Sequence, residues 1–149
     1  MEISDALAFA RRERNGILST LKRDGRAQLS TVAYYVGEDD AVRISLTDDR
    51  AKARNMRRDP RISLFVTAPD YASYVVFEAE AELTPPAVKP DDETAEALVA
   101  YYRELVGEHP DWDEYRAAMV TDRRLILTIR PTHAYGLNAR TWDTPKTTS

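Results

Sequence analysis

Residues 16–47, GILSTLKRDGRAQLSTVAYYVGEDDAVRISLT, decide how this chain folds. Three runs rich in β-branched and aromatic residues lie within them, at 16–22, 27–36 and 41–47, the composition of half-buried strands. Between the runs, Asp24-Gly25 and Gly37-Glu38-Asp39-Asp40 supply the residues that tight turns require, so the stretch predicts a meander of hairpins. Working outward, RISLFVTA (61–68) and SYVVFEAEAELT (73–84) resume the pattern, and the alternation in VFEAEAEL sets a wet face against a dry one. RLILTIRPTHAYGL (124–137) is a sixth and last strand. Ser4 can cap a helix running to about Arg14. Asp91, Asp92 and Glu93 match the dipole at the start of a helix over TAEALVAYYRELV, which Gly107 closes. HPDWDEYRAAMVTD reads as a shorter helical piece.

These elements predict a mainly β fold with flanking helices, in which about six antiparallel strands close into a small barrel. Strands do not alternate regularly with helices, which excludes a doubly wound sheet. The five glycines stand apart, with neither GxGxxG nor GxxxxGK[ST], so no dinucleotide fold or P-loop is expected. One domain is expected over residues 1–137, followed by a polar tail at 138–149.

Composition narrows the function. The chain has no cysteine, which removes disulfides, thiolate metal sites and cysteine nucleophiles together. His109 and His133 are too few for a histidine-based metal centre, and no metal is expected. The N-terminal residues carry no apolar run of signal-peptide or membrane-spanning length, so a cytoplasmic protein without membrane contact is expected. A formal charge of −4 argues against a general nucleic-acid binder.

Against that acidic total stands TDDRAKARNMRRDPR, residues 47–61. From Arg50 to Arg61 it holds Arg50, Lys52, Arg54, Arg57, Arg58 and Arg61 against the single acid Asp59. As a helix over 49–58, it places Arg50, Arg54, Arg57 and Arg58 on one broad face and Lys52 on the other side, near Met56. The residues support two readings. One is a solvated helix whose arginines pair with surface acids. The other is a phosphate site at a strand–helix junction, where Ser45 and Thr47 add hydroxyls and guanidinium and ammonium groups supply the two chemistries that suit phosphate.

The DGxxQLS hairpin around Asp24–Ser30, the RAKxRNxxRDPR segment at 50–61 and SYVVFEAEAELTPP at 73–86 resemble the pyridoxamine 5′-phosphate oxidase-like split-barrel family. The similarity is to its actinobacterial branch, which uses the deazaflavin coenzyme F420, and it extends through PPAVKPDDETAEAL, HPDWDEYRAAMVTDRR and THAYGL. This resemblance implies a homodimer of split barrels with two cofactor sites at the interface and a small-molecule substrate. It implies cofactor phosphate at Arg50 and Lys52 with Arg54 and Asn55 nearby, and Ser45 on the phosphate side. Gln28, Leu29, Ser30 and Thr31 fall near the ring system, and aromatic residues of the partner chain, expected to be Tyr71 and Tyr74, close the site. The implied activity is hydride transfer from reduced F420 to an electron-poor acceptor. Arg54, Arg57 and Arg58 suit the acidic tail of F420 or a solvated face equally well. An FMN-dependent oxidase or reductase of the same fold and a non-catalytic deazaflavin carrier remain as alternatives.

No acid–base constellation accompanies these residues. His133 reads as a satisfied hydrogen bonder at a strand end and His109 as a surface residue, while Tyr101, Tyr102, Trp112 and Tyr115 cover the barrel. For hydride chemistry this is sufficient, because the cofactor carries the reaction and the protein binds and orients it.

Overall fold

The structure, a computed structural model, describes residues 1–138; the expected tail therefore lies, apart from Asn138, outside the described residues. Helix α1 (Ile3–Ala10) leads into strands β1 (Asn15–Leu21), β2 (Ala27–Ala33), β3 (Tyr35–Val36) and β4 (Val42–Thr47). Helix α2 (Ala51–Arg58) follows, then β5 (Arg61–Thr67) and β6 (Tyr74–Leu83). Helices α3 (Glu93–Leu105) and α4 (Trp112–Thr121) precede β7 (Arg124–Ile129) and β8 (His133–Leu137).

All strand pairs are antiparallel, in the order β2-β1-β5-β6-β7-β4-β3, with β8 added to β6. The ten-residue β6 joins the two halves of the curled sheet. Its first part, Tyr74–Glu80, pairs with β5 and its last three residues, Ala81–Leu83, pair with β7. The fold class expected from sequence holds, with eight strands among the described residues rather than about six.

Two breaks explain the difference. The run 27–36 is interrupted at Tyr34, which is fully buried and turns its hydroxyl inward to donate to the Ala10 carbonyl at 2.7 Å. The run 124–137 is interrupted at Arg130-Pro131, because proline has no N–H to continue a ladder. The first helix also differs from expectation. It begins at Ile3 with Glu2 before it and no side-chain cap, so Ser4 is inside the helix. It stops at Ala10 instead of Arg14, and the Arg14 carbonyl accepts instead from the Tyr34 N–H at 2.9 Å.

The core fills the barrel with residues from both halves, among them Leu18, Ile44, Leu64, Phe77, Leu125 and Leu127. A second cluster forms on the opposite face of β7, where Ile126 packs under Leu98, Val99, Tyr115 and Met119 of α3 and α4. Asp92 and Asp111 cap these two helices by accepting from the backbone N–H groups of Ala95 (2.8 Å) and Glu114 (3.1 Å).

Gly136 holds β8 against β6. Its φ is +159°, and a Cβ there would collide with the Tyr74 carbonyl oxygen and lie 2.8 Å from the Val75 Cα. Both obstacles are backbone, so neither can swing aside. Gly136→Ala should lower stability by about 1–3 kcal/mol, the usual cost of an overpacked site. Chemical denaturation measures this, and an unchanged midpoint would show that β8 does not dock as described.

Candidate cofactor cleft

The basic segment sorts into groups once its partners are known. Arg57 pairs with Asp48, and Arg61 pairs with Asp59 at 2.7 Å. Arg58 donates to the Leu21 carbonyl at 2.6 Å and to Asn55 Oδ1 at 3.0 Å, while Arg54 donates to the Asp49 carbonyl at 2.8 Å. These four cations serve the helix and its neighbours. Arg50 and Lys52 differ, because among the described residues they donate to side-chain hydroxyls and to neither a carboxylate nor a backbone carbonyl. Arg50 Nε donates to Thr47 Oγ1 at 3.2 Å, and Lys52 Nζ donates to Ser30 Oγ at 3.3 Å. The single arginine face expected for the helix is not what forms. Arg50 precedes the first turn in extended conformation and points back to β4, apart from Arg54, Arg57 and Arg58.

A third cation joins from β7. Register places Arg124 opposite Thr47, and its Nη1 donates to Ser45 Oγ at 3.2 Å. Burial pushes the Lys52 ammonium pKa down, and the charges of Arg50 and Arg124 push it further. Lys52 thus lies close enough to both guanidinium groups to be repelled by them; the three cations have hydroxyl partners and, among the described residues, no carboxylate at ion-pair distance, although Asp49 and Asp122 line the depressions beside them. Such clustering disfavours the charged lysine unless an anion completes it. Sequence reasoning missed Arg124, since a lone arginine far from the basic segment carries no spacing signal.

Ser45 and Arg124 open onto a cleft of about 500 Å³ whose other walls include Arg14, Tyr101, Tyr102 and Tyr115. Thr47 and Arg50 line a neighbouring depression of about 620 Å³. The Tyr101 hydroxyl donates to the Ala33 carbonyl at 2.9 Å, tying α3 to the end of β2. Tyr115 donates to the Leu98 carbonyl at 2.8 Å, and burial raises its pKa to about 12. Both phenols are neutral at physiological pH and serve as walls. A groove of about 670 Å³ between α1 and β8 is lined by Phe9, Val75 and Leu137 and lies away from the three cations.

Strand alternation divides the residues expected near a ring system. Gln28 and Ser30 turn toward α2, whereas Leu29, 65% exposed, and Thr31 turn outward. Asn55 is 7% exposed and spends its amide within the protein, donating to Gln28 Oε1 at 2.6 Å and Thr20 Oγ1 at 3.1 Å. It braces α2 against β1 and β2. On the outer face, directly opposed residues form the row Thr31, Ile17, Phe65, Val76 and Tyr135 across five strands. Tyr74 stacks on Phe65 at 5.6 Å on this side. Tyr71 and Tyr74 follow the end of β5 opposite to the one that α2 enters, so one chain does not bring them to Arg50 and Lys52.

The histidines take no part in the cleft. His133 lies exposed with Nε2 3.9 Å from Glu78. His109, expected as a plain surface residue, instead sits among the rings of Tyr102, Trp112 and Tyr115 and accepts from the Asp111 N–H at 2.9 Å. Among the described residues no histidine and carboxylate cluster has metal-ligand geometry, and no helix is long and apolar enough to cross a membrane.

Comparison with known proteins places this geometry. In fold the chain is similar to a conserved hypothetical protein from Mycobacterium tuberculosis, with a TM-score of 0.74, 23% identity, and coverage of 95% of this chain and 88% of that one. It is similar to a solved F420 reductase, with a TM-score of 0.65, 22% identity, and coverage of 86% and 94%. It also resembles a pyridoxamine 5′-phosphate oxidase-related, FMN-binding protein from Nostoc punctiforme, with a TM-score of 0.61, 16% identity, and coverage of 93% and 83%. Because the pyridoxamine 5′-phosphate oxidase family model matches residues 4–138, nearly every element described above, the chain belongs to that family.

Proposed function

We propose that this protein is a coenzyme F420-dependent reductase, a cytoplasmic homodimer that passes a hydride from reduced deazaflavin to an electron-poor small molecule. One observation carries the reading: among the described residues Arg50 and Lys52 alone of the cations in the basic segment donate to side-chain hydroxyls, those of Thr47 and Ser30, and neither is matched by a carboxylate or held by a backbone carbonyl. In this reading they hold the cofactor phosphate, with Ser45 beside them. When bound, the deazaflavin supplies the hydride, and solvent supplies the proton that balances reduction of the acceptor.

The chain's own work is binding, orientation and exclusion of water. Ser30 is a hydrogen-bonding side chain on the α2 side of β2, next to Lys52. Gln28 and Asn55 fix the spacing of α2 from the sheet. The apolar outer row from Thr31 to Tyr135 supports a second copy of the chain as the covering partner. Across such an interface the partner's copies of Tyr71 and Tyr74 reach a site that one chain cannot bring them to. Tyr71, 79% exposed and with a φ of 63°, is held out from the barrel in a manner suited to that use.

Parallel calorimetric titrations with F420 and FMN at the same salt concentration test the proposal. Binding of F420 at micromolar concentration or tighter, with FMN much weaker, is the expected result. The reverse preference would move the chemistry to a flavin, and binding of neither would remove the oxidoreductase reading.

A further inference from the structure

We infer that Arg124 is a third ligand-contacting cation beside Arg50 and Lys52, completing with them, where the cleft meets the neighbouring depression, a site for a phosphate-bearing ligand that brings more than one negative charge to it. The inference rests on the cofactor reading above but concerns a residue outside the segment that suggested it.

Three observations carry it. Arg124 faces Thr47 across the β4–β7 ladder, and Thr47 accepts from Arg50, so the two guanidinium groups approach one hydroxyl-lined corner, one from β7 and one from the start of α2. Its Nη1 binds Ser45 Oγ, a neutral partner, while the adjacent Arg123 turns to Asp48 at 3.4 Å. Neighbouring arginines thus have opposite fates, one joined to a carboxylate and the other lining the cleft with no carboxylate at ion-pair distance among the described residues, Asp122 being the acid that shares its wall. Arg124 also weakens the charged form of Lys52, which places both within electrostatic reach of the same point. A planar guanidinium offers several donors, and the bond to Ser45 leaves others for phosphate or carboxylate oxygens. Three cations exceed the charge of one phosphate diester, so an acidic group next to the phosphate fits the surplus.

The test compares F420 with a deazaflavin that ends at its ribityl chain and lacks the phosphate, binding each to wild type, Arg124→Gln and Arg124→Lys. Loss of a charge-assisted contact should weaken F420 binding about tenfold in Arg124→Gln. The phosphate-free compound should bind all three proteins alike, and Arg124→Lys should recover part of the loss. Arg116→Gln, which breaks a distant surface pair with Glu96, serves as the control and should match wild type. Equal weakening of both compounds would assign Arg124 a purely structural role and overturn the inference. So would F420 binding to Arg124→Gln that matches wild type. A wild-type protein that failed to prefer F420 over the phosphate-free compound would overturn the whole anion site, a distinguishable failure.

Discussion

Replacing Arg50 and Lys52 together by alanine weakens F420 binding by at least about a hundredfold, because each loses a hydrogen bond to a charged group worth about 1.5–3 kcal/mol. The stability of the apo protein should not fall with it. Neither side chain forms an ion pair among the described residues, and removing Lys52 with one of the guanidinium groups that repel it relieves a cost. The pairing of weaker binding with unchanged or higher melting temperature is what separates a ligand site from a structural ion-pair network. The same geometry gives a pH dependence. Burial and the neighbouring guanidinium groups lower the Lys52 pKa, so the ammonium loses its proton at a lower pH than an exposed lysine. Affinity should therefore decline as pH rises through that lowered value, and the decline should vanish in Lys52→Ala. Isothermal calorimetry across the alkaline range measures both effects. Undiminished affinity in the double variant would falsify the phosphate assignment.

The strand runs were legible because half-buried antiparallel strands write their burial directly into alternating residues, and the turns between β1 and β2 and between β3 and β4 carry Asp-Gly and Gly-Glu-Asp-Asp. The breaks at Tyr34 and Pro131 were harder to read. Tyr34 has strand-like composition, and only its contact with Ala10, a partner 24 residues away, shows that it leaves the ladder. The site was legible in part for a similar reason. Arg50 and Lys52 announce themselves by density of charge, yet nothing local distinguishes them from Arg57 or Arg58, whose partners Asp48 and Leu21 are set by tertiary structure. Arg124 was invisible, since its role depends on which strand lies beside β7. The β2 residues illustrate the opposite limit: proximity along the chain grouped Gln28 to Thr31, and the pleat then sent them to two faces.

Asn55 is the residue for which a cofactor role and a structural role diverge most, and its replacement decides between them. Its amide donates to Thr20, 1% exposed, and to Gln28, while its carbonyl oxygen accepts from Arg58. Alanine at this position leaves the buried Thr20 hydroxyl without this donor, at a cost of about 1–3 kcal/mol, and removes the part-buried bonds to Gln28 and Arg58, worth about 1 kcal/mol together. Asn55→Ala should therefore lower stability by about 2–4 kcal/mol, which corresponds to a fall in melting temperature of roughly 5–15 °C for a chain of this size. A bound ligand cannot reach the amide without breaking this brace, so any loss of affinity should follow from movement of α2. It should then affect phosphate-bearing and phosphate-free deazaflavins alike, unlike the loss at Arg50 and Lys52. Asn55→Asp provides the sharper comparison. It keeps the shape and the acceptor for Arg58 but presents a carboxylate to two oxygen atoms that now accept from the amide, so it should be at least as destabilising. A stable Asn55→Ala protein that had lost only its affinity for the phosphate-bearing compound would place Asn55 at the ligand, and the brace would have to be assigned elsewhere.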